Sequence, residues 1–501
     1  MPTFLTLLDA ALLSLGIFCL TRLLRRPSAP LPPGPRPWLG FLALPSGKDK
    51  EWETYARWAE KWGDITSVTV FGQPVVVVSS LKTATEMLDK KSSIYSDRPI
   101  LQMCGELVGW NSGLVLSHYG TPRFRRSRKY FHQLFGSQTN LKKFYPLEEE
   151  ETHKFLQRLV ESPDQFLSHI HGLSSAIALR IAYGYTSQGE KDPIVDLVTT
   201  VMEEFSMAVT PGAFMVDVLP ILKYVPEWLP GAGFKRKANV WARHLSEMMD
   251  TPFRLVEDQL VRGTAKDSFV SLLLQENLAE EELVDVKWSA GSIYGGGADT
   301  TACAISTFFL QMALHPEIQA KAQAELEAVV GNHRLPGYAD REHLPYTDAL
   351  CKEIFRYHPV GPMGLPHRVM EDNIHNGYLI PKGSLVLANI WSMTHDPEVY
   401  ANPLEFDPSR FIASDKHIPE PDPRDIVFGF GRRVCPGKLL ADTSVFMTCA
   451  MTLATFTISK IVKDGKIIEP VEYYQSGTIS QLAPFAVSVQ PRSTGAIALL
   501  S

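Results

Sequence analysis

The chain has little of the chemistry that cysteine brings to small secreted proteins. Its 501 residues hold six cysteines, Cys19, Cys104, Cys303, Cys351, Cys435 and Cys449, with no C-x-x-C pair among them. Neither a disulfide framework nor zinc-finger spacing is present, which fits free thiols in a reducing compartment. A basic excess is also missing. The 49 Lys and Arg stand against 55 Asp and Glu, for a net charge of -6. That balance excludes the electrostatic footprint of a dedicated nucleic-acid binder. There is no flavin or nicotinamide fingerprint, no internal repeat and no low-complexity tract. With 45% hydrophobic residues, the chain is not disordered either.

One apolar run approaches the length of a membrane span. No charge lies between Asp9 and Arg22, and residues 4–24 come near the ~20 residues a spanning helix needs. The uncharged core alone has the length of a secretory signal, but Arg22, Arg25 and Arg26 follow it rather than precede it. The positive-inside rule puts those arginines in the cytosol. The expectation is an N-terminal membrane anchor over 1–26, single-pass, with the rest of the chain cytosolic. The proline-dense stretch over 27–37 reads as a semi-rigid linker, and 38–501 as one catalytic domain.

Within that domain, residues 52–62 are helical in composition. Two β-branched runs over 65–72 and 74–79 predict a hairpin around a Gly-Gln turn. Helical periodicity dominates from about 79 to 330, and strand character returns around 378–381 and 384–388. A helix is expected over 438–456 and short strands near the C-terminus. The fold class is mainly α with a smaller β region.

The strongest local signal is Phe428-Gly-Phe-Gly-Arg-Arg-Val-Cys-Pro-Gly437. Its glycines let the backbone wrap tightly around Cys435. The helix that follows places the thiol beside free N–H groups and a positive dipole end, which favour a thiolate. Such a thiolate is a soft, electron-donating ligand suited to heme iron; a buried core cysteine is the plainer alternative. Residues 295–297 set three glycines inside a stretch that reads as a helix over 286–314, each costing ~1 kcal/mol relative to Ala. Close approach of a flat cofactor with a local opening of the helix would account for them; so would a packing kink.

The pattern F-x-x-G-x-R-x-C-x-G, matched at every fixed position, resembles the heme-binding signature of the cytochrome P-450 superfamily. Finer matches resemble the fungal microsomal, O-methylsterigmatocystin oxidoreductase-like group. The resemblance implies the cytochrome P-450 fold and heme b with Cys435 as axial ligand. Phe428 would pack near the sulfur, with Gly437 beside it. Residues 296–301 resemble the A/G-G-x-D/E-T-T oxygen-activation motif. That assigns Thr300 to hydrogen-bond dioxygen and Asp299 to relay protons, with Gly296 and Gly297 against the cofactor. Glu353 and Arg356 resemble the E-x-x-R motif, and Arg410 the third member of its triad. Arg98, Arg128, His367 and Arg433 are the implied propionate partners. Phe124 stands where the family's W-x-x-x-R motif has tryptophan, which removes an indole donor.

Apolar pocket linings are expected from 101–116 (Met103, Leu107, Val108, Trp110), 209–216 (Phe214, Met215), 360–365 and 478–482. Ile293, Tyr294 and Ala298 are expected to face the heme. Such walls suit a lipophilic substrate. Since no electron-carrying cofactor motif is present, electrons must come from another protein, by resemblance an endoplasmic reticulum NADPH–cytochrome reductase, with cytochrome b5 as a second donor. Arg125, Arg126, Lys129, Arg432 and Lys438 would form its basic docking face. The function expected is hydroxylation or other oxidation of a lipophilic secondary metabolite, a terpenoid first of all, using O2. A heme-thiolate isomerase or peroxygenase, and a non-catalytic heme-binding protein, are the alternatives.

Overall fold

In the computed structural model, residues 29–36, 45, 50–187, 192–210, 212–415 and 417–500 are described. The expected anchor over 1–26 lies outside them. No helix among the described residues is long and apolar enough to cross a membrane.

Among the described residues ten helices run twelve residues or longer: α1 (Glu51–Trp62), α2 (Pro122–Phe135), α3 (Tyr145–Glu161), α4 (Phe166–Tyr183), α5 (Pro193–Val209), α6 (Gly233–Val261), α7 (Glu280–Leu314), α8 (Pro316–Val329), α9 (Pro345–Tyr357) and α10 (Lys438–Thr455). α7 is the axle. α2, α4, α6 and α10 all pack on it, and its buried side chains surround most of its circumference. A helix buried this way shows no amphipathic stripe in its sequence.

The β region lies to one side of the helices. β1 (Ile65–Val70) and β2 (Gln73–Val78) pair as an antiparallel hairpin. Its turn is Phe71-Gly72 rather than the expected Gly-Gln. Both residues have positive φ, 49° and 82°, the geometry that lets a two-residue turn match strand twist. β3 (His367–Arg368), β4 (Asn373–His375), β5 (Tyr378–Ile380) and β6 (Leu385–Ala388) follow. β6 runs parallel to β2 and antiparallel to β3, giving a sheet in the order β1-β2-β6-β3. Trp52, Tyr55 and Trp58, spaced three apart on α1, cover this sheet against Val68, Val75 and Val77.

The proline-rich stretch is bound to the sheet region rather than hanging free of it. The Leu379 amide donates to Pro30 O at 2.8 Å, and Ser67 donates to Pro33 O through its amide and to Pro32 O through its hydroxyl.

Candidate functional site

The cysteine turn is made by short backbone bonds. The amide of Cys435 donates to Phe428 O at 2.8 Å, and that of Val434 to Gly431 O at 3.2 Å. Gly431 has a φ of 55°, and a Cβ there would stand 2.3 Å from Leu88 O, so only glycine fits. α10 begins three residues past the cysteine.

Two properties of Cys435 define its surroundings. Its side chain has exposed surface, yet burial pushes its thiol pKa up, with the Gly437 amide, Arg128 and Lys438 pulling it back. Exposed surface together with the crowding of its neighbours fits a sulfur set in a recess rather than on an open face. α7 carries a bare patch of its own. Gly296 is exposed in the middle of α7, between buried Gly295 and half-buried Gly297, and a Cβ there would meet nothing within 4 Å.

The three glycines separate by neighbour. A Cβ at Gly295 would press Met202 Sδ at 3.2 Å, and one at Gly297 would lie 3.5 Å from Ala178 of α4. Gly296 alone faces the open side. α7 is helical throughout, so the expected opening is absent, and Gly297 belongs to helix packing. Thr300, one turn on from Gly296, donates its hydroxyl to Gly296 O at 2.6 Å. The open face therefore runs along Ser292, Gly296 and Thr300. Tyr294 instead points to Ser175 of α4, and Ala298 lies two residues round the helix from Gly296, on the far side. Of the expected set, Tyr294 and Ala298 are out of register, while Ile293, three residues before Gly296, stays beside the open face. Asp299 also leaves this face, its Oδ1 lying 3.9 Å from His171 Nδ1 of α4.

One edge of the slot gathers the basic residues. Arg433 donates to Ser96 O, Leu114 O and Ser117 O at 2.7, 3.3 and 2.6 Å. Arg98 donates to Val115 O, Leu365 O and Pro366 O at 3.1, 2.8 and 2.8 Å. Arg128 reaches Val434 O at 2.7 Å. His367 donates from Nδ1 to Tyr95 O at 2.7 Å. The 114–117 segment also approaches α7, through the Leu114 amide at 3.5 Å from Ser292 Oγ. Burial, reinforced by Arg433, brings Arg98 down to about 9, and burial with Arg128 nearby brings Arg433 down to about 10. Both stay charged at neutral pH. Burial with Arg98 nearby holds His367 down to about 3, hence neutral. Among the described residues no carboxylate lies in ion-pair range of Arg98, Arg128 or Arg433, and Asp97, engaged by His118 and Arg368, acts on Arg98 and Arg433 only from farther off. Buried cations need a counter-charge, and a planar group bearing two carboxylates supplies it. The donor set therefore fits heme: a sulfur on one wall, a bare backbone stretch on the other, and cations along the edge.

Phe124 packs against this edge rather than donating to it. Its ring is 5% exposed, and the Arg433 guanidinium carbon sits 4.2 Å from its centroid. Phe428 stacks edge-on against Phe355 of α9 at 5.4 Å. Behind the cysteine turn, Arg356 forks onto Glu353 at 2.7 and 2.8 Å, and Arg410 joins at 3.2 Å.

Over the slot, Trp110 meets Phe205 of α5 at 4.6 Å, and Phe214 meets Trp241 of α6 at 5.8 Å. Met103 is buried, while Met215 is 55% exposed. The 360–365 and 478–482 segments do meet, through Ser480 N to Val360 O at 2.8 Å. Ser480 O also accepts from the Cys303 thiol at 3.2 Å.

The residues expected to form a docking face differ in their partners. Arg126 is tied to Asp285 at 2.5 Å, and Lys438 to Asp425 at 2.7 Å. Arg125, Lys129 and Arg432 are exposed.

A family model described as cytochrome P450 matches residues 30–475. The chain is 51% identical over 495 residues to cytochrome P450 monooxygenase 208 of Postia placenta, covering 98% of this chain and 96% of the relative. It is 45% identical over 505 residues to cytochrome P450 monooxygenase claR of Ampulloclitocybe clavipes, covering 100% and 93%. Against O-methylsterigmatocystin oxidoreductase of Aspergillus flavus it is 38% identical over 492 residues, covering 96% and 91%.

Proposed function

The chain belongs to the cytochrome P450 family, and from that premise we propose that it oxidises a lipophilic secondary metabolite, a terpenoid in our reading. It is a monooxygenase of the heme-thiolate type, using heme b, O2 and NADPH-derived electrons. The observation that supports the site assignment is the cluster of Arg98, Arg128 and Arg433 with no carboxylate in ion-pair range, beside Cys435, which among the described residues is the one exposed cysteine.

Cys435 would hold the iron, and Arg98, Arg433 and His367 the propionates. When bound, heme supplies the reduction of dioxygen and the insertion of one oxygen atom into a C–H bond. The chain's own part is positioning and proton control. Thr300 holds a proton on Oγ1, parked on Gly296 O, one turn from the bare stretch of α7. Asp299 is a carboxyl whose pKa burial raises, which suits a donor of protons. Trp110, Phe205, Phe214 and Trp241 keep water from the substrate side and offer a surface with few polar groups. That surface supports a hydrocarbon-rich substrate.

The electron donor in this reading is NADPH–cytochrome reductase, with cytochrome b5 as a second donor, docking at Arg125, Lys129 and Arg432. The apolar run over residues 4–24 would hold the protein on the endoplasmic reticulum membrane.

The test is reconstitution with the reductase under 18O2 against a panel of terpenoid and non-terpenoid lipophiles. The reading expects a substrate-induced Soret change with terpenoids and one labelled oxygen per product. Turnover with peroxide but none with NADPH and reductase would replace it with a peroxygenase or isomerase.

A further inference from the structure

α4 presents a stripe to α7 on which His171, Ser175 and Ala178 follow at spacings of four and three. Ala178 lies under Gly297, and Ser175 reaches Tyr294. His171 continues that stripe outward to solvent. Its side chain is 51% exposed, against 19% for the Asp299 carboxyl facing it at 3.9 Å. Among the described residues it is the one basic side chain in ion-pair range of Asp299.

We propose that His171 is the solvent-side station through which protons reach Asp299, a positioning residue for the site's proton supply. The proposal rests on the reading of Asp299 and Thr300 as the acid–alcohol pair. The chemistry of the partner matters. A lysine or arginine here would keep the carboxylate ionised and hold its own proton at neutral pH. An imidazole exchanges protons in that range.

The groups around the pair are few. Burial raises the Asp299 carboxyl, His171 draws it down, and Glu203 of α5 raises it further. Tyr294 and Cys303, both on α7, also feel Asp299, and Tyr294 in turn feels Asp192 and Tyr185. At 3.9 Å, one rotamer step or one bridging water completes the link. A proton enters the imidazole from water and leaves Nδ1 for Asp299 Oδ1, giving neutral imidazole and a carboxylic acid. The acid then releases that proton on the Thr300 side and returns to carboxylate. No electrons move, and two passes supply two protons.

The test uses the full-length holoenzyme and the variants His171→Gln, His171→Ala, Asp299→Asn and the double variant. Intact Soret amplitude with carbon monoxide serves as the folding control. Thermal midpoints form a double-mutant cycle, with non-additivity expected between positions 171 and 299. In turnover, the His171 variants are expected to lose ~10-fold or more in kcat with KM kept. Their solvent isotope effect rises and their pH profile flattens. If Asp299→Asn raises the isotope effect while both His171 variants keep wild-type values, protons reach Asp299 without His171. The proposal then falls alone. If Asp299→Asn changes nothing either, the acid–alcohol reading falls with it. Additive midpoints would likewise overturn the pair.

Discussion

The guanidinium of Arg433 lies 4.2 Å from the centre of the Phe124 ring, so the residue that lacks an indole donor serves as a platform for a residue that donates. Three backbone carbonyls fix the guanidinium from the other directions. The ring's negative face is the fourth support.

That relationship predicts graded losses at position 124. Phe124→Leu keeps volume but removes the π face, and should cost about 0.5–2 kcal/mol of stability. Phe124→Ala also removes a buried ring, and should cost about 3–5 kcal/mol. Chemical denaturation checks the order. Heme content after purification should fall in the same sequence; a leucine variant as damaged as alanine would show that packing alone matters.

Arg356 and Glu353 are both fully buried, and Arg356 also donates to Thr394 O, Pro403 O and Glu405 O. Lysine keeps the charge but cannot reproduce the fork. Arg356→Lys is therefore expected to destabilise by about 3–5 kcal/mol. The reading is the yield of folded, carbon monoxide-binding protein together with its urea midpoint.

Cys435 contributes its sulfur to the slot rather than to the core. Cys435→Ser should leave the protein's own stability within about 1 kcal/mol. It should also abolish the Soret band of the reduced carbon monoxide complex that gives the family its name. A serine variant retaining that band would remove Cys435 from the ligand role.

Stability should fall toward both ends of the pH scale through groups that can be named. Burial holds His358, His367 and His395 down to about 3. Each binds fewer protons folded than unfolded. Its contribution is whole above 6.5 and is lost as pH falls toward 3. Glu148 runs the other way, since burial pushes it up to about 8 from an ordinary 4.5. The folded state keeps the extra proton, so stability declines as pH rises from 4.5 through 8 and then levels. Glu148→Gln keeps an oxygen for the Thr443 and Ser444 hydroxyls, which donate to Oε1. It removes the slope, so urea midpoints at pH 6 and 8.5 should draw together in the variant.

What was legible in the sequence was whatever local chemistry demands. The cysteine turn was readable because its backbone geometry admits so few residue types, Gly431 above all. The β1–β2 hairpin was readable from its β-branched runs, though Phe71 in a positive-φ position hid the turn by one residue. The register of α7 was not readable. A helix buried nearly all round gives no polar face to set its phase, so the sequence alone does not separate Tyr294 and Ala298 from the open face of Ser292, Gly296 and Thr300. Partners distant in the chain were equally hidden. Nothing near Arg126 announces Asp285, and nothing near Asp299 announces His171.

The contact of Gly431 with the Leu88 carbonyl leaves no side-chain cushion between the cysteine turn and the segment Thr85–Lys90, which descends from β2 through Leu81–Ala84. The sulfur's position is thus referenced to the sheet as well as to the helices, which hold the same turn through Arg128 on Val434 O and through α10. A side chain added at position 431 would push against backbone, and the displacement would be felt at the thiol.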